Sequence, residues 1–379
     1  MMRNPPLPSP LFSLLNGLTP AQFLRRHWQK KPLLARASLP QFAPLVTRRD
    51  LQDMAGSADT ESRLIVCKGG RWQVSHGPFS RRDFAKLPAR NWTLLVQGVN
   101  HVLPEASSLL AQFAFIPYAR LDDLMVSYAP PGGGVGPHFD SYDVFLLQGE
   151  GRRRWQISSQ RDLALVPDAP LKILSRFRAS KEWTLAAGDM LYLPPRCAHD
   201  GVALDECITY SIGFRAPSAQ DLCGRFLEFL QDRLDAPELY TDPQLKPAHH
   251  PAQINNQLTQ GLLRLLDGAR WNRDDLLRFI GEDLSAPKDH VVYTPPHRAL
   301  TLGAFTKTVC KQGLRLAPQS ILLYDNAAFY INGERWAVPA RARPRLRQFA
   351  DHRRLPPTAA TAAGMDTLYA WYRAGYAVI

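Results

Sequence analysis

Short apolar runs separated by glycine and proline fill the chain from about residue 60 to residue 215. They are rich in Val, Ile, Leu, Phe, Tyr and Trp, and runs of this length bounded by turn residues are typical of β-strands. The pattern therefore predicts a sandwich or barrel. The runs are RLIVCKGGRWQVSHG, NWTLLVQGV, LDDLMVSYAPPGGG, DVFLLQGEGRRRWQIS, GDMLYLPP and CITYSIGFRAP.

Helical patterns flank this region. Before it, TPAQFLRRHWQKKPLLA offers Thr19 as an N-cap and Pro20 at the first helical position, which predicts one helix. After Pro217 the apolar spacing changes to a period of 3.6 residues in DLCGRFLEFLQDRL, INNQLTQGLLRLL and DDLLRFIGEDL. These segments predict a helical module whose apolar stripe is either a dimer interface or a core within the chain. The stripe comprises Leu222, Phe226, Phe229 and Leu230.

The last part of the chain mixes helical and strand patterns. FYINGERWAV places Asn332-Gly333 between two apolar runs, a strong signal for a hairpin with a type I′ turn. With helix-like segments on both sides, a winged-helix-like domain is the preferred interpretation. The predicted domains are a β-barrel domain at 1–217, a helical dimerisation module at 218–288 and the winged-helix-like domain at 289–379.

Composition narrows the class of protein. With 379 residues, 45% of them hydrophobic, the chain can form two or three domains. It has no run of 18 apolar residues and no secretory signal pattern, which predicts a protein that is neither exported nor inserted in a membrane. Five scattered cysteines without a CxxC pair favour the reducing cytoplasm. The net charge of +12 makes contact with nucleic acid possible.

The stretch GPHFDSYDVFLLQGEGRRRW holds the candidate chemistry. Alternate residues of a strand share a face, so His138 and Asp140 are expected to point together. If the chain then turns at Gly149-Glu150, an antiparallel hairpin pairs Leu146 with Arg153 and places Arg153 on that same face. A buried arginine needs an anion, because an unpaired buried charge is costly.

A second histidine follows in GDMLYLPPRCAHDG, where a short strand and a proline loop lead to His199. Two imidazoles and one carboxylate form the facial triad that holds Fe(II) and leaves coordination positions open. In an oxygenase that uses 2-oxoglutarate, the far carboxylate of the keto acid requires a cation, and Arg153 meets that need.

These motifs resemble the bacterial ribosomal oxygenases. LMVSYAPPGGGVGPHFDSYDVFLLQGEGRRRWQIS, DMLYLPPRCAHDG and YSIGFRAP carry the resemblance, with support from FLRRHWQKKPLL, WQVSHGPF and LLVQGVNH, over roughly the first 217 residues. The resemblance implies an α+β fold: a JmjC-type double-stranded β-helix (cupin jelly roll), then a helical dimerisation module and a winged-helix-like domain. It implies hydroxylation of the β-carbon of an arginine in the large-subunit ribosomal protein uL16, by a homodimer in the cytoplasm.

The resemblance also assigns roles to individual residues. His138, Asp140 and His199 would be the iron ligands, and Arg153 would bind the 2-oxoglutarate carboxylate together with the Ser127 hydroxyl. The PPGGGVG loop is expected to be flexible and to admit a polypeptide at the mouth of the barrel. Because substrate and chain are both basic, local acids would have to receive the arginine. The candidates are Asp122, Asp123 and Asp143.

Two alternatives remain open at this point. The first is a metal-binding cupin without oxygenase activity, which would have no need for an inward Arg153. The second is a nucleic-acid-binding protein in which the winged-helix-like domain is the functional part. The arginine cluster at 341–354 is interpreted as a solvated helix face in preference to a nucleic-acid site.

Overall fold

The structure is a computed structural model, and it describes residues 13–235, 237–247, 249–267, 270–288, 291–357 and 363–379. The strands are β1 Leu33–Ala35, β2 Ser62–Lys68, β3 Arg71–His76, β4 Trp92–Val96, β5 Leu121–Ala129, β6 Val144–Glu150, β7 Arg153–Ser158, β8 Lys181–Leu185, β9 Met190–Leu193, β10 Ala198–Ala203, β11 Cys207–Phe214, β12 Leu314–Leu316, β13 Leu322–Tyr324, β14 Phe329–Ile331, β15 Glu334–Trp336, β16 Arg354–Leu355 and β17 Ala377–Val378. The helices are α1 Pro20–Arg26, α2 Arg48–Met54, α3 Arg81–Ala85, α4 Val99–Val102, α5 Pro104–Ala111, α6 Ala219–Gln231, α7 Asn256–Leu266, α8 Arg273–Ser285, α9 Leu302–Gln312, α10 Arg343–His352 and α11 Met365–Arg373, and two 3-10 turns span Tyr118–Arg120 and Ala340–Ala342.

Two antiparallel sheets build the barrel. The large sheet has the order β1-β9-β6-β11-β5-β4-β2-β3, and the small sheet has the order β10-β7-β8. Successive strands cross between the sheets, since β6 lies in the large sheet, β7 and β8 in the small one, and β9 in the large one again. This alternation is a jelly roll, and it confirms the predicted double-stranded β-helix.

The first four residues of strand β6, VFLL, are all apolar because both faces of the strand are buried there. Phe145 and Leu147 pack into the core between the large sheet and the N-terminal helices. Val144 and Leu146 point the opposite way and pack with Trp155 between the two sheets. A strand buried on both faces has no polar alternation, which explains the unbroken run VFLL.

The predicted hairpin between β6 and β7 is wrong. β6 pairs with β9 and β11, whereas β7 pairs with β8 and β10, so Leu146 is not opposite Arg153. The chain leaves the large sheet at Gly151 (φ 63°) and enters the small one. A jelly-roll corner and a hairpin turn use the same turn residues, and the local sequence does not distinguish them.

Other local predictions can be compared with the structure directly. The first helix has its expected N-cap, with a reciprocal capping box between Thr19 and Gln22. In the hairpin β14-β15, Asn332 and Gly333 both have positive φ (53° and 86°), which confirms the type I′ turn. Strand β10 (AHDGVA) differs from the sequence prediction, which places His199 at the end of a proline loop and not within a strand.

The contacts divide the chain into two compact units. The first comprises residues up to 216 with 287–321 and 340–379, and the second comprises 217–286 with 322–339. In the second unit, Phe226 and Phe229 of α6 lie against Phe279 of α8, with ring centroids 5.0 and 5.5 Å apart. Part of the predicted stripe is therefore an internal core. The domain boundaries predicted from the sequence stay a prediction.

Among the helices in the described part of the chain, none combines the length and apolar character that a bilayer crossing requires.

Candidate metal centre

A single antiparallel bridge holds the two histidines side by side. The His138 amide donates to the His199 carbonyl at 2.9 Å, and the His199 amide donates back at 2.8 Å. Because directly opposed residues of such a bridge project to the same side, the two imidazole centroids lie 4.1 Å apart. His138 is thus in a bridge ahead of β6, and His199 belongs to β10. Both positions differ from the predicted strand and loop, yet the side chains converge as expected.

The backbone also fixes the tautomer of each imidazole. His138 Nδ1 lies 2.8 Å from the Gly136 carbonyl, and His199 Nδ1 lies 2.9 Å from the Cys197 carbonyl. A carbonyl oxygen only accepts, so both Nδ1 atoms are donors and both Nε2 atoms keep a free lone pair. This is the tautomer that a metal-binding histidine requires.

Asp140 completes the set. Its carbonyl accepts a 2.7 Å hydrogen bond from the Arg196 amide, which fixes the loop after His138. One carboxylate oxygen, Oδ2, lies 3.7 Å from His199 Nε2. One donor atom from each of the three side chains lies within 4.8 Å of the others. Two imidazole nitrogens and one carboxylate on one side of a shared point make a facial triad, so these residues could hold a divalent metal.

The protonation state of His199 allows its imidazole to coordinate a metal ion. Burial, followed by the neighbouring His138, lowers the pKa of His199 to about 4, whereas Asp140 acts in the opposite direction. The imidazole is therefore neutral at pH 7. A metal ion binds the neutral form, so no proton has to be displaced from this ligand.

A cavity of about 410 Å³ opens beside the triad, between the two sheets. Its volume lies within the range of small-molecule sites. Side chains of β5, β6, β7 and β11 line it, as does a loop that precedes β8. They include Met125, Ser127, Tyr142, Leu146, Arg153, Trp155, Lys172, Ile173 and Thr209.

Arg153 is the buried cation of this cavity. It is 4% exposed, and its Nε and Nη2 atoms have no hydrogen-bond partner in the described part of the chain. Arg152, by contrast, is exposed and paired with Asp205 at 2.8 Å, and Arg154 alternates to the other face of β7. Buried guanidinium donors without a partner are costly, and a carboxylate supplies the matching acceptors. The cavity therefore fits a carboxylate ligand.

Ser127 lies on β5 opposite Thr209 of β11 and is 3% exposed. Its hydroxyl is 3.5 Å from the Thr209 carbonyl, a weak hydrogen bond that leaves the group able to serve a ligand. Thr209 also lines the cavity and donates to Gln148 at 3.1 Å. Sequence reasoning missed Thr209, although its alternation with Ser211 along β11 would have indicated the same face.

None of the three acids proposed to receive an arginine lines the cavity. Asp143 is fully buried elsewhere and accepts from Tyr192 and Gln29 at 2.6 and 3.0 Å. Asp122 and Asp123 both pair with Lys288. That expectation is wrong, because these carboxylates are already neutralised by structural partners. Asp140 is the only carboxylate among the lining residues.

The PPGGGVG loop is packed instead of free. Gly132 donates to the Ala203 carbonyl at 2.8 Å, and Ala203 donates to Gly133 at 2.9 Å. A Cβ at Gly133 would collide with the carbonyl of Trp92, which is why this close approach needs glycine. The loop therefore fixes the edge of the barrel. A different segment, near Lys172 and Ile173, lines the cavity, and Leu174 anchors it by donating to the Pro137 carbonyl at 2.8 Å.

The comparisons with known proteins agree with this geometry. Residues 108–222 match the family model described as a JmjC domain, and residues 268–377 match a ROXA-like winged helix. The chain is 35% identical over 323 residues to the ribosomal protein uL16 3-hydroxylase of Escherichia coli, and the match covers 84% of this chain and 86% of that protein. The chain belongs to the bacterial ribosomal oxygenase family.

Other members of the ribosomal oxygenase family support the assignment. A probable ribosomal oxygenase of Haemophilus influenzae is 41% identical over 215 residues, which cover 56% of this chain and 53% of that protein. The solved structure of the E. coli ribosomal oxygenase YcfD in complex with cobalt and 2-oxoglutarate superimposes with a TM-score of 0.83 at 33% identity. That match covers 95% of this chain and 98% of the other, so the barrel and the winged-helix domain of the predicted fold are both confirmed.

Proposed function

We propose that this protein is an Fe(II)- and 2-oxoglutarate-dependent oxygenase that hydroxylates the β-carbon of an arginine in the large-subunit ribosomal protein uL16. The observation that carries the proposal is the triad His138, Asp140 and His199 next to a cavity that contains the buried Arg153, whose Nε and Nη2 have no hydrogen-bond partner among the described residues. A cupin that only binds a metal has no need for that arginine. Membership in the ribosomal oxygenase family supports the choice of substrate.

Each of the candidate site residues has a role in this proposal. His138 and His199 offer Nε2 and Asp140 a carboxylate oxygen to iron, while Arg153 and Ser127 orient the far carboxylate of 2-oxoglutarate. When bound, iron and 2-oxoglutarate supply the oxidation, in which one oxygen of O₂ enters the substrate C–H bond and 2-oxoglutarate becomes succinate and carbon dioxide. The protein contributes position, because the reacting carbon must be held next to the metal.

The cavity explains how a residue of a protein substrate could be selected. Its walls include the apolar side chains of Met125, Leu146 and Trp155. Such walls accept the methylene part of a long side chain, while contacts outside the cavity hold the polypeptide. We expect free arginine to be a poor substrate, because it lacks those remote contacts.

Turnover tests the function directly. The protein is reconstituted with Fe(II) and 2-oxoglutarate without oxygen, and succinate is measured after air is admitted, with and without a uL16 fragment. We expect succinate to depend on the fragment and the fragment to gain one oxygen atom, about 16 Da, with none on free arginine. Oxygen on a histidine, on RNA or only on a metabolite would leave the oxygenase assignment intact and refute the substrate.

We further propose that the protein acts as a homodimer in the cytoplasm. The second unit exposes Leu227 (65%), Leu263 (49%) and Leu266 (67%) on α6 and α7, and large exposed apolar groups on helices are typical of an interface. All five cysteines are free, which suits a reducing compartment. Light scattering should give a dimer for the full chain and a monomer for Leu263→Glu/Leu266→Glu. A wild-type monomer at every concentration would refute dimerisation.

A further inference from the structure

The positive charge of the chain is concentrated near its C-terminus. Residues 291–379 contain 12 Lys and Arg side chains against 4 Asp and Glu, so they carry +8 of the total net charge of +12. A net charge of this size on about a quarter of the chain is larger than solubility requires. We therefore asked which anion this region could bind.

Seven of these cations are exposed and unpaired. Their side chains make no hydrogen bond and no ion pair in the described part of the chain. They are Arg298, Lys307, Lys311, Arg315, Arg341, Arg354 and Arg373.

Two of the seven lie in an open groove of about 670 Å³ next to the sheet β16-β12-β17. Its polar lining consists of Arg315, Arg354, His352, Gln312 and Gln348. The lining residues include no aspartate or glutamate. The groove therefore presents cations and amide donors together.

The strand register brings the two arginines face to face. Arg315 of β12 is directly opposite Arg354 of β16, and both side chains are exposed. Like charges in directly opposed positions of a ladder repel each other and destabilise the pair. An anion bound between the two guanidinium groups removes that repulsion, and guanidinium groups bind phosphate oxygens bidentately.

We propose that this groove of the winged-helix region binds the phosphate backbone of RNA. Two opposed, unpaired arginines in a groove that no acidic side chain lines match the electrostatic pattern of a nucleic-acid surface. A flat membrane could not reach the floor of a groove, and a peptide carboxylate satisfies fewer of the guanidinium donors than a row of phosphates does. The choice of RNA rests on the proposed function, because uL16 belongs to a particle that is rich in RNA.

Binding of a labelled RNA hairpin to the full-length protein tests the proposal, with fluorescence anisotropy measured from 50 to 200 mM KCl. Arg315→Ala/Arg354→Ala should weaken binding about tenfold and reduce the slope of log K against log salt by about 2, since each lost phosphate contact contributes about 1. The loss of affinity in the double variant should be equal for two RNA hairpins of unrelated sequence, because phosphate contacts do not discriminate between bases. The variant should keep its thermal stability, since it removes a repulsion.

The matched control is Arg25→Ala/Arg26→Ala, which removes the same charge from exposed positions on α1. It should bind RNA like the wild type. Equal weakening by both double variants would show a general charge effect and overturn the proposal, as would tighter binding of polyglutamate or of phosphatidylglycerol vesicles. Turnover of the isolated uL16 fragment is measured on the same proteins and should be unchanged. If no preparation turned over, the oxygenase proposal would fail while the RNA result would still stand.

Discussion

Replacement of Arg153 by alanine is expected to separate cosubstrate binding from folding. Arg153 is 4% exposed, and two of its nitrogens have no hydrogen-bond partner in the described part of the chain, so a dicarboxylate bound in the cavity would form a desolvated charge pair with it. Truncation of one partner of such a pair costs about 2 to 5 kcal/mol, which corresponds to about 30- to 4,000-fold in Kd. Calorimetric titration of 2-oxoglutarate into the Mn(II)-loaded protein measures this loss.

In the absence of 2-oxoglutarate, Arg153→Ala should not lower the melting temperature of the protein. Among the described residues, the Trp155 ring lies 5.7 Å from the Arg153 guanidinium carbon, and such a contact contributes about 0.5 to 2 kcal/mol. The Arg153 charge also interacts with the Asp200 carboxyl, where burial raises the pKa and Arg153 is among the charges that act in the opposite direction, but no hydrogen bond joins the two groups. Removal of a buried charge with so little compensation should leave the melting temperature unchanged or raise it. The increase in melting temperature caused by 2-oxoglutarate should disappear.

Arg152→Ala provides the control for this experiment. Arg152 is 60% exposed on its side chain and pairs with Asp205 at 2.8 Å. Exposed pairs contribute about 0 to 1 kcal/mol, so affinity for 2-oxoglutarate and stability should both change little. Equal losses of affinity in the two variants would refute the assignment of Arg153, and a large drop in melting temperature for Arg153→Ala would mean that its role is structural.

Three further predictions concern the triad and the strand beside it. Asp140→Ala should abolish stoichiometric Fe(II) binding, measured by metal analysis after gel filtration, and retention of both metal and turnover would exclude Asp140 as a ligand. The pKa of His199 falls from 6.5 to about 4 on folding, so the unfolded chain binds the extra proton between these values. The metal-free protein should therefore lose about 3 kcal/mol of unfolding free energy as the pH falls from 7 to 4. His199→Phe should not show this loss. Denaturant titrations at several pH values measure the unfolding free energy of both proteins. Gly201→Ala would put a Cβ 2.5 Å from the Trp155 ring and should weaken 2-oxoglutarate binding, whereas Gly224→Ala, with open space around it, should not.

The sequence predicts the face of Arg153 better than the strand pairing around it. The predicted β6-β7 hairpin is wrong, yet Arg153 does lie on the buried face of β7. The reason is that alternation along β7 places Arg153, Trp155 and Ile157 on one face whichever strand lies next to it. Local periodicity therefore determines the face of a side chain, while the neighbouring strand depends on contacts distant in sequence.

Strand β10 shows where local signals fail. Ala, Asp and Gly have low β-propensity, so AHDGVA has little tendency to form a strand on its own. It becomes one because all six residues pair with β7, from Ala198 opposite Ser158 to Ala203 opposite Arg153. The acids Asp122, Asp123 and Asp143 illustrate the same limit, since the sequence shows three carboxylates but not the cations and hydroxyls that neutralise them.

The ladder between β7 and β10 explains why the metal ligands and the cosubstrate cation can be positioned together. His199 is opposite Ile157 and Gly201 is opposite Trp155, so a slip of one residue would turn the imidazole away from His138. The Trp155 ring covers Gly201 so closely that no other side chain fits there, and the fit opposes such a slip. Because Arg153 belongs to the same ladder, the register that directs His199 towards His138 also fixes the position of the Arg153 guanidinium relative to the triad.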